Sequence, residues 1–323
     1  MKALLKYFSK TISWLNELAE KEGLSKLWLY FDYASAAIWH RCLIRQYVIG
    51  EFWRASSAER KRRITYNRIL SLYDKLNSKE YIHYLNEKPE FNAYFSEHVK
   101  RDWIHIINVS YDKFCNFLAK HDSVIIKPVD AMQGRGIRKF TLSEVPDTNL
   151  LDMYENLRKE NVLIEQIIVQ HPKMIFGNAS VNTIRMYTIL DKKGKAHPLK
   201  AILRAGVGDS VVDNYCQGGA IYEVDLESGL VCTHGLSKSN LRGYIHPGTD
   251  IVMLGYPIPN WDKVIQACEH AAELLPQVRF IGWDIAVTVD GVELIEGNHN
   301  PDYEFLEFIG SRGYYKKIKE NLI

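Results

Sequence analysis

Asp284, Glu296 and Asn298 are the residues of this chain whose types and spacing most directly suggest chemistry. They fall in or beside two runs of β-branched and apolar residues, 281–289 and 292–295, which predict two strands joined by a tight turn. Strand alternation puts Asn298 on the same face as Glu296. Carboxylate and amide oxygens that leave room for water and phosphate suit Mg²⁺, so this hairpin is a candidate magnesium site.

The length of the turn decides whether the two acids meet. A two-residue loop leaves Asp284 one position out of step with Glu296, whereas a three-residue loop, 289–291, pairs Thr288 with Val292 and brings the acids opposite each other. The three-residue form is common when a glycine takes the left-handed position. Two acids on a hairpin are often only a solvated face, but their apolar neighbours here favour a buried setting and a bound cation.

A second candidate feature lies in mid-chain. The short apolar strand 124–128 carries Lys127 and leads into a loop containing Gly134 and Gly136, and a further strand, 137–141, follows. Glycines let backbone N–H groups approach a phosphate closely. The loop lacks the Gly-Lys-Ser/Thr of a P-loop and the helix of a dinucleotide fingerprint, so this pattern alone favours an ordinary hairpin.

Two later strands present basic residues on one face each. The strand 181–190 places Thr183 and Arg185 together, and the strand 198–204 does the same for Lys200 and Arg204. An arginine in the middle of a strand is either paired structurally or directed at an anion.

Composition narrows the class of protein. With 323 residues and 46% apolar residues, the chain predicts one large or two to three small globular domains. Its five cysteines form no Cys-x-x-Cys pair, which argues against a structural zinc site or a disulfide framework and favours a reducing cytoplasm. The first 120 residues hold 20 Lys and Arg against 13 Asp and Glu, so the front of the chain is basic.

The sequence predicts that the first 85 residues are mainly helical. Residues 1–20 space apolar side chains at helical intervals with lysines between them, as an amphipathic helix does. Such a helix either caps a domain core or lies on a membrane interface. Its apolar positions are too interrupted for a signal peptide or a spanning helix.

Taken together, the lysine strand before a glycine loop, the segment 164–167 and the ordered Asp284, Glu296 and Asn298 resemble the ATP-grasp superfamily. The details are similar to the sugar-transfer-associated ATP-grasp group, with ribosomal-protein glutamate ligases as distant relatives. The resemblance spans about residues 88–307. It implies an α+β fold in which two α+β subdomains with mainly antiparallel sheets grip ATP. An N-terminal helical region precedes them in place of the usual α/β domain.

This resemblance also implies domain limits and site residues. The helical region would cover 1–85 and the ATP-grasp domain 86–323, with subdomains at about 120–168 and 169–310. A second phosphate lysine is expected upstream, with Lys88 preferred over Lys100. The implied nucleotide contacts are Lys88 and Lys127; Gln133, Gly134, Arg135 and Gly136 over the phosphates; Glu165, Gln166, Ile167 and Ile168 at adenine; Asn182 or Thr183 at ribose; and Lys200. The implied catalytic residues are Arg185, Arg204 and Asn214, and the implied metal ligands are Asp284, Glu296 and Asn298.

The implied activity is that of a carboxylate–amine ligase that uses ATP and Mg²⁺, with two ions expected and Mn²⁺ as a substitute. It would form an acyl phosphate and release ADP, in polysaccharide or glycan biosynthesis, with a sugar acid and an amino acid as possible substrates. Two other hypotheses are sugar-kinase-type phosphoryl transfer and a catalytically silent nucleotide-binding scaffold at a membrane. We expect a cytoplasmic protein, peripheral to a membrane if the basic N-terminal helices bind one, and no nucleic acid partner.

Overall fold

The computed structural model describes residues 2–130, 135–144, 149–178, 180–208, 219–237, 242–308, 310 and 312–322. The chain divides into two compact units. The first comprises Met1–Leu76, Asp191–Lys193 and Pro301–Ile323, and the second comprises Asn77–Leu190 and Gly194–Asn300. The domain limits expected from the sequence remain predictions.

The helices in chain order are α1 (Lys2–Glu22), α2 (Lys26–His40), α3 (Ile44–Ile49), α4 (Ser57–Arg62), α5 (Tyr66–Leu76), α6 (His83–Asn86), α7 (Lys88–Tyr94), α8 (Tyr111–Lys120), α9 (Leu150–Glu160), α10 (Trp261–Leu274), α11 (Glu304–Phe308) and α12 (Tyr314–Leu322). The strands are β1 (Trp103–His105), β2 (Ser123–Pro128), β3 (Arg138–Thr141), β4 (Val162–Gln166), β5 (Thr183–Leu190), β6 (Ala196–Ala205), β7 (Ala220–Val224), β8 (Gly235–Ser237), β9 (Arg242–Gly243), β10 (Phe280–Val287) and β11 (Val292–Asn298).

The described part of the first unit is built mainly from helices. Helices α1, α2 and α3 bury apolar side chains in a common core that includes Leu15, Leu29 and Tyr47. Asp32 fixes this core from α2, because it accepts two hydrogen bonds from the Arg60 guanidinium and one from the Tyr47 hydroxyl. Within the described residues, no helix has both the length and the apolar composition needed to cross a bilayer.

A four-stranded antiparallel sheet in the second unit runs in the order β1-β4-β2-β3. One face, which includes Val124, Ile126 and Ile164, packs into a core shared with residues of α8 and α9. Alternation leaves the opposite face to Lys127 on β2 and Glu165 on β4. The sheet therefore separates a packed face from a charged one.

A seven-stranded antiparallel sheet in the same unit runs in the order β11-β10-β5-β6-β7-β8-β9. Its core face includes Ile184, Met186, Trp283 and Ile285, which join the core to which α10 also contributes. The mixed helices and antiparallel sheets match the α+β class expected from the sequence, and a helical N-terminal region is present.

The hairpin of β10 and β11 reaches the predicted pairing by a different route. Val287, not Thr288, pairs with Val292, so the three-residue loop was wrong. A register shift then makes Ile295 an extra residue on β11, and Asp284 pairs with Glu296 as predicted. Such a β-bulge redirects the side chains that follow it. Without the bulge, alternation would turn Glu296 away from Asp284.

Candidate active site

The charged face of the seven-stranded sheet gathers predicted residues from four strands. Strand pairing sets Arg185 opposite Asp284, and Asp284 opposite Glu296. On the other side, Arg204 of β6 lies opposite Thr183. Directly paired residues share a face of a sheet, so the predicted arginines and acids project from the same surface.

Two arginines hold the Asp284 carboxylate. Arg185 donates from Nε to Oδ1, and from Nη2 to Oδ2 at 2.7 Å; Arg204 donates from Nη1 to Oδ2, also at 2.7 Å. Burial alone would raise the pKa of Asp284, but the two guanidinium groups outweigh it and hold that pKa well below its usual range. Asp284 is therefore ionised at neutral pH.

Glu296 lies next to this ion pair and behaves differently. Its side chain keeps solvent-exposed surface, and its Oε1 accepts a hydrogen bond from Asn298 Nδ2 at 3.2 Å. Protein surrounding the carboxyl group, and then the neighbouring Asp284 carboxylate, raise the pKa of Glu296. In the described residues no basic group lies within ion-pair distance of it. An added cation would relieve this repulsion.

The oxygen atoms of Glu296, Asn298 and Asp284 fit a hard divalent cation, but those of Asp284 are less available than the other two. Glu296 and Asn298 offer exposed or half-buried oxygen atoms, which Mg²⁺ prefers. A carboxylate oxygen has two lone pairs, so the arginines occupy both on Asp284 Oδ2 and leave Oδ1 with one. The set holds only two acids, and no group of three or more His, Cys, Asp and Glu side chains suited to a metal occurs among the described residues.

Of the two candidate upstream lysines, Lys88 lies at this site. Its Nζ donates to the carbonyls of Pro128, at 3.0 Å, and Val129, at 2.8 Å, where the strand bearing Lys127 ends. Burial lowers the pKa of Lys88, and Glu296 is near enough to oppose that shift. Lys100 is exposed and its Nζ lies beside the Gly291 turn instead.

A second ionic cluster lies close by and was missed from the sequence. The side chain of Arg101 is 2% exposed, and its guanidinium pairs with Glu165, at 3.0 Å, and with Glu293, at 2.7 Å. Asn92 and Lys127 also bind the Glu165 carboxylate. Burial opposes ionisation of Glu165, but Arg101 and Lys127 prevail and hold its pKa far below the usual value. No local pattern around Arg101 signals this role, because its partners are distant in sequence.

This cluster joins the two sheets of the second unit. Glu165 belongs to β4 and Glu293 to β11, so the Arg101 guanidinium bridges the lysine-bearing sheet and the carboxylate-bearing sheet. Through Glu165 it also holds Lys127. Lys127 is thereby tied to the sheet that also carries Asp284.

The segment predicted to read adenine straddles the end of a strand. Glu165 and Gln166 are the last residues of β4, whereas Ile167 and Ile168 follow it, half-buried and outside the ladder. A segment that has left a ladder can present its backbone groups to a ligand edge. The buried carboxylate of Glu165 serves the ionic cluster.

The two proposed ribose contacts lie in different surroundings. Asn182 is fully buried, and its amide group bonds to the Met174 carbonyl at 2.6 Å, to Asn178 and to the Gly206 N–H at 2.8 Å. Its side chain therefore orders the loops at the start of β5. Thr183 lies opposite Arg204 on the charged face.

Of the remaining predicted site residues, some lie in the described part of the structure and others lie outside it. Lys200 is buried and pairs with Glu223 at 3.2 Å. Gly136 has a φ of +71°, and a side chain there would meet Pro128 Cγ at 2.9 Å, so glycine is required. Arg135 precedes it in a turn. Gln133, Gly134 and Asn214 lie outside the described residues.

Comparison with known proteins identifies the family. The profile described as sugar-transfer associated ATP-grasp matches residues 67–321. This chain belongs to that family. The match agrees with the family, the ATP-grasp fold and the enzyme class expected from the sequence. No curated protein matches this sugar-transfer-associated ATP-grasp chain at a significant level.

Three solved structures resemble this chain in part. The ATP-grasp ligase PsnB, complexed with a minimal precursor, is 18% identical with a TM-score of 0.46, covering 76% of this chain and 63% of PsnB. Biotin carboxylase from Campylobacter jejuni is 11% identical with a TM-score of 0.48, covering 76% and 48%. D-alanine–D-alanine ligase from Helicobacter pylori is 13% identical with a TM-score of 0.44, covering 74% and 60%. The chain spans less than two thirds of each of these proteins.

Proposed function

We propose that this protein is an ATP- and Mg²⁺-dependent ligase that joins a carboxylate to an amine through an acyl phosphate and releases ADP. The observation that carries the proposal is the gathering of Arg185, Arg204, Asp284 and Glu296 on one sheet face, with Lys88 within electrostatic reach of Glu296. Family membership supports the same conclusion.

Each group has a proposed task in phosphoryl transfer, which depends on positioning and charge neutralisation more than on acid–base chemistry. Lys88 and Lys127 bind phosphate oxygens. Arg185 and Arg204 stabilise the charge that develops as the substrate carboxylate attacks the γ-phosphate. Glu296 and Asn298, with Asp284, hold Mg²⁺. The bound ion would supply Lewis-acid stabilisation of the phosphate oxygens.

The substrates are proposed by class. A carboxylate must carry the activated carbonyl, and an amine must attack it and displace phosphate. The family description associates the domain with sugar transfer, which supports a sugar acid or amino acid substrate and a role in polysaccharide or glycan assembly. Two Mg²⁺ ions, with Mn²⁺ as a substitute, complete the proposal.

Product analysis tests this assignment. Purified protein is incubated with ATP, Mg²⁺ and a matrix of uronic acids and amino acids, and ADP, phosphate and amide products are measured. We expect an amide together with equal amounts of ADP and phosphate. The Asp290→Asn variant, which alters an exposed acid in the hairpin turn, serves as the control and should match wild type.

Two results would contradict a ligase. A phosphorylated product formed without free phosphate would identify a kinase instead. Tight ATP binding with no turnover on any pair, combined with full function of Glu296→Gln in cells, would identify a silent scaffold.

A further inference from the structure

The outward side of helix α2 is apolar along its whole length. Leu27, Phe31, Ala34 and Ile38 recur at intervals of four, three and four residues, which places them on one helical face. The side chains of Leu27, Phe31 and Ile38 are 70%, 76% and 70% exposed, and Trp39 beside them is 77% exposed. Single exposed apolar residues are common, but a continuous stripe marks a binding surface.

Helix α1 extends this stripe. The Tyr30 hydroxyl of α2 donates to Asn16 of α1 at 2.8 Å, and the hydroxyl oxygens of Tyr7 and Tyr33 lie 3.1 Å apart. Because the earlier residue of α1 meets the later residue of α2, the two helices run antiparallel. Ile12, one turn before Asn16, is therefore level with Ala34, one turn after Tyr30. Phe8 and Ile12 are 55% and 50% exposed. The outer hairpin face is defined by Phe8, Ile12, Leu27, Phe31, Ile38 and Trp39.

The core does not need these residues. Helix α1 packs its second half into the core through Leu15, Leu18 and Ala19, and α2 packs through Leu29 and Ala36. The outer face is thus additional apolar surface, not part of the fold's own packing. It also carries Phe31 and Trp39, residue types that are common on the apolar face of helices lying at a membrane interface.

Charge around this face points to an anionic partner. The first 16 residues contain Lys2, Lys6 and Lys10 and no acid. The one acid of α2, Asp32, is bound by Arg60 and Tyr47. The acids of α1, Glu17, Glu20 and Glu22, all lie in its second half, and anionic headgroups would pair directly with the lysines of its first half.

We propose that the outer hairpin face binds an anionic lipid membrane, with α1 and α2 lying in the plane of the interface. The apolar side chains enter the boundary between headgroups and acyl chains, and the α1 lysines contact headgroup phosphates. This contact is independent of the proposed ligase activity and adds a location for it.

Vesicle flotation tests the proposal on the full-length protein. The probes are vesicles of phosphatidylcholine alone and of phosphatidylcholine with about a quarter phosphatidylglycerol. We expect wild type to float with the anionic vesicles and to remain unbound with the neutral ones. The double variant Phe31→Ser, Trp39→Ser should reduce binding about tenfold or more. Lys6→Gln, Lys10→Gln should reduce it about tenfold.

Matched controls separate this surface from general effects. Leu151→Ser with Val289→Ser removes two exposed apolar side chains elsewhere, and Lys192→Gln with Lys193→Gln removes two exposed charges elsewhere. Both should bind anionic vesicles like wild type. All variants should keep the wild-type unfolding midpoint, since the substituted residues are exposed.

Three results would overturn the membrane contact. Recovery of wild type free of both vesicle types would show that the face does not bind lipid. Equal binding to both compositions would remove the role of the lysines. A wild-type dimer that Phe31→Ser, Trp39→Ser converts to monomer, without lipid binding, would assign the face to a second copy of the chain.

Discussion

Two neighbouring charge clusters in the second unit differ in how their acids are satisfied. In the Arg101 cluster, Glu165 and Glu293 are buried and both pair with a cation. In the Asp284 cluster, Asp284 is paired twice, while Glu296 stays solvent-exposed beside it with a raised pKa. The first cluster is electrostatically complete. The second has a surplus carboxylate at its open side, where a cation from solution would be stabilised.

The contrast separates structural from functional charge. A buried ion pair does not by itself add much stability, but removing one partner leaves a costly unpaired charge. An exposed carboxylate with a raised pKa costs little to neutralise. Substitutions in the two clusters should therefore affect different properties, stability in one and activity in the other.

The largest effect is expected from Arg101→Leu. It leaves Glu165 and Glu293 buried without their shared cation, which should lower the free energy of unfolding by about 3 to 5 kcal/mol. Chemical denaturation measures this change. Arg138→Leu removes an exposed partner of Glu160 and should cost no more than about 1 kcal/mol. Equal losses in both variants would mean that the Arg101 cluster has no special structural role.

Glu296→Gln should lower activity without lowering stability. Loss of a metal ligand should reduce the Mg²⁺-dependent rate of ADP formation by about 10² to 10³ fold. The free energy of unfolding should stay within about 0.5 kcal/mol of wild type, since the side chain is exposed. Activity and denaturation are measured on the same preparation. An active Glu296→Gln protein would contradict the metal assignment.

Gly297→Ala tests whether core packing around β11 positions the Asp284 cluster. A Cβ at this glycine would meet Leu85 Cδ2 at 2.8 Å and Trp283 Cζ3 at 3.0 Å, so the substitution should cost about 1 to 3 kcal/mol of stability. The substitution should also lower activity, because Glu296 is the neighbour of Gly297 on β11. Gly291→Ala, whose nearest neighbour atom lies at 3.6 Å, is the matched control. Indistinguishable unfolding curves would show that β11 can relax.

The smallest expected effect is the pH dependence of the stability that the Arg101 cluster contributes. The pKa of Glu165 is depressed below its ordinary value of 4.5, so its stabilisation is present above pH 4.5 and is lost as pH falls toward the folded-state pKa. The stability difference between wild type and Glu165→Gln should therefore narrow with acidification below pH 4.5. Denaturation curves across that range measure it. Glu160→Gln, at an exposed site, should show little such change.

Several features of the site follow from local pattern. Alternation predicted that Thr183 and Arg185 share a face of β5 and that Lys200 and Arg204 share a face of β6, because a strand has a fixed period of two. The pairing of Asp284 with Glu296 was also predicted, but on the basis of a three-residue loop that the structure does not contain. The bulge at Ile295 restores the pairing, and a one-residue irregularity of this kind leaves no clear trace in an apolar run.

Other features depend on distant contacts and were not predictable. Arg101 meets Glu165 and Glu293 only because the tertiary fold brings them together. Asn182 or Thr183 is predicted as a ribose contact, and the amide group of Asn182 also bonds to Met174, before β5, and to Gly206, after β6. For α1, packing against a domain core holds for its second half. Phe8 and Ile12 of its first half are exposed, and the membrane-interface alternative stays a prediction.

The most direct test of the central claim is anomalous diffraction from Mn²⁺ in crystals grown with a non-hydrolysable ATP analogue. We predict a Mn²⁺ peak at about 2.1 Å from a Glu296 oxygen, with the triphosphate reaching Lys88 and Lys127. A nucleotide bound with its metal distant from Glu296, or bound away from both lysines, would contradict the account.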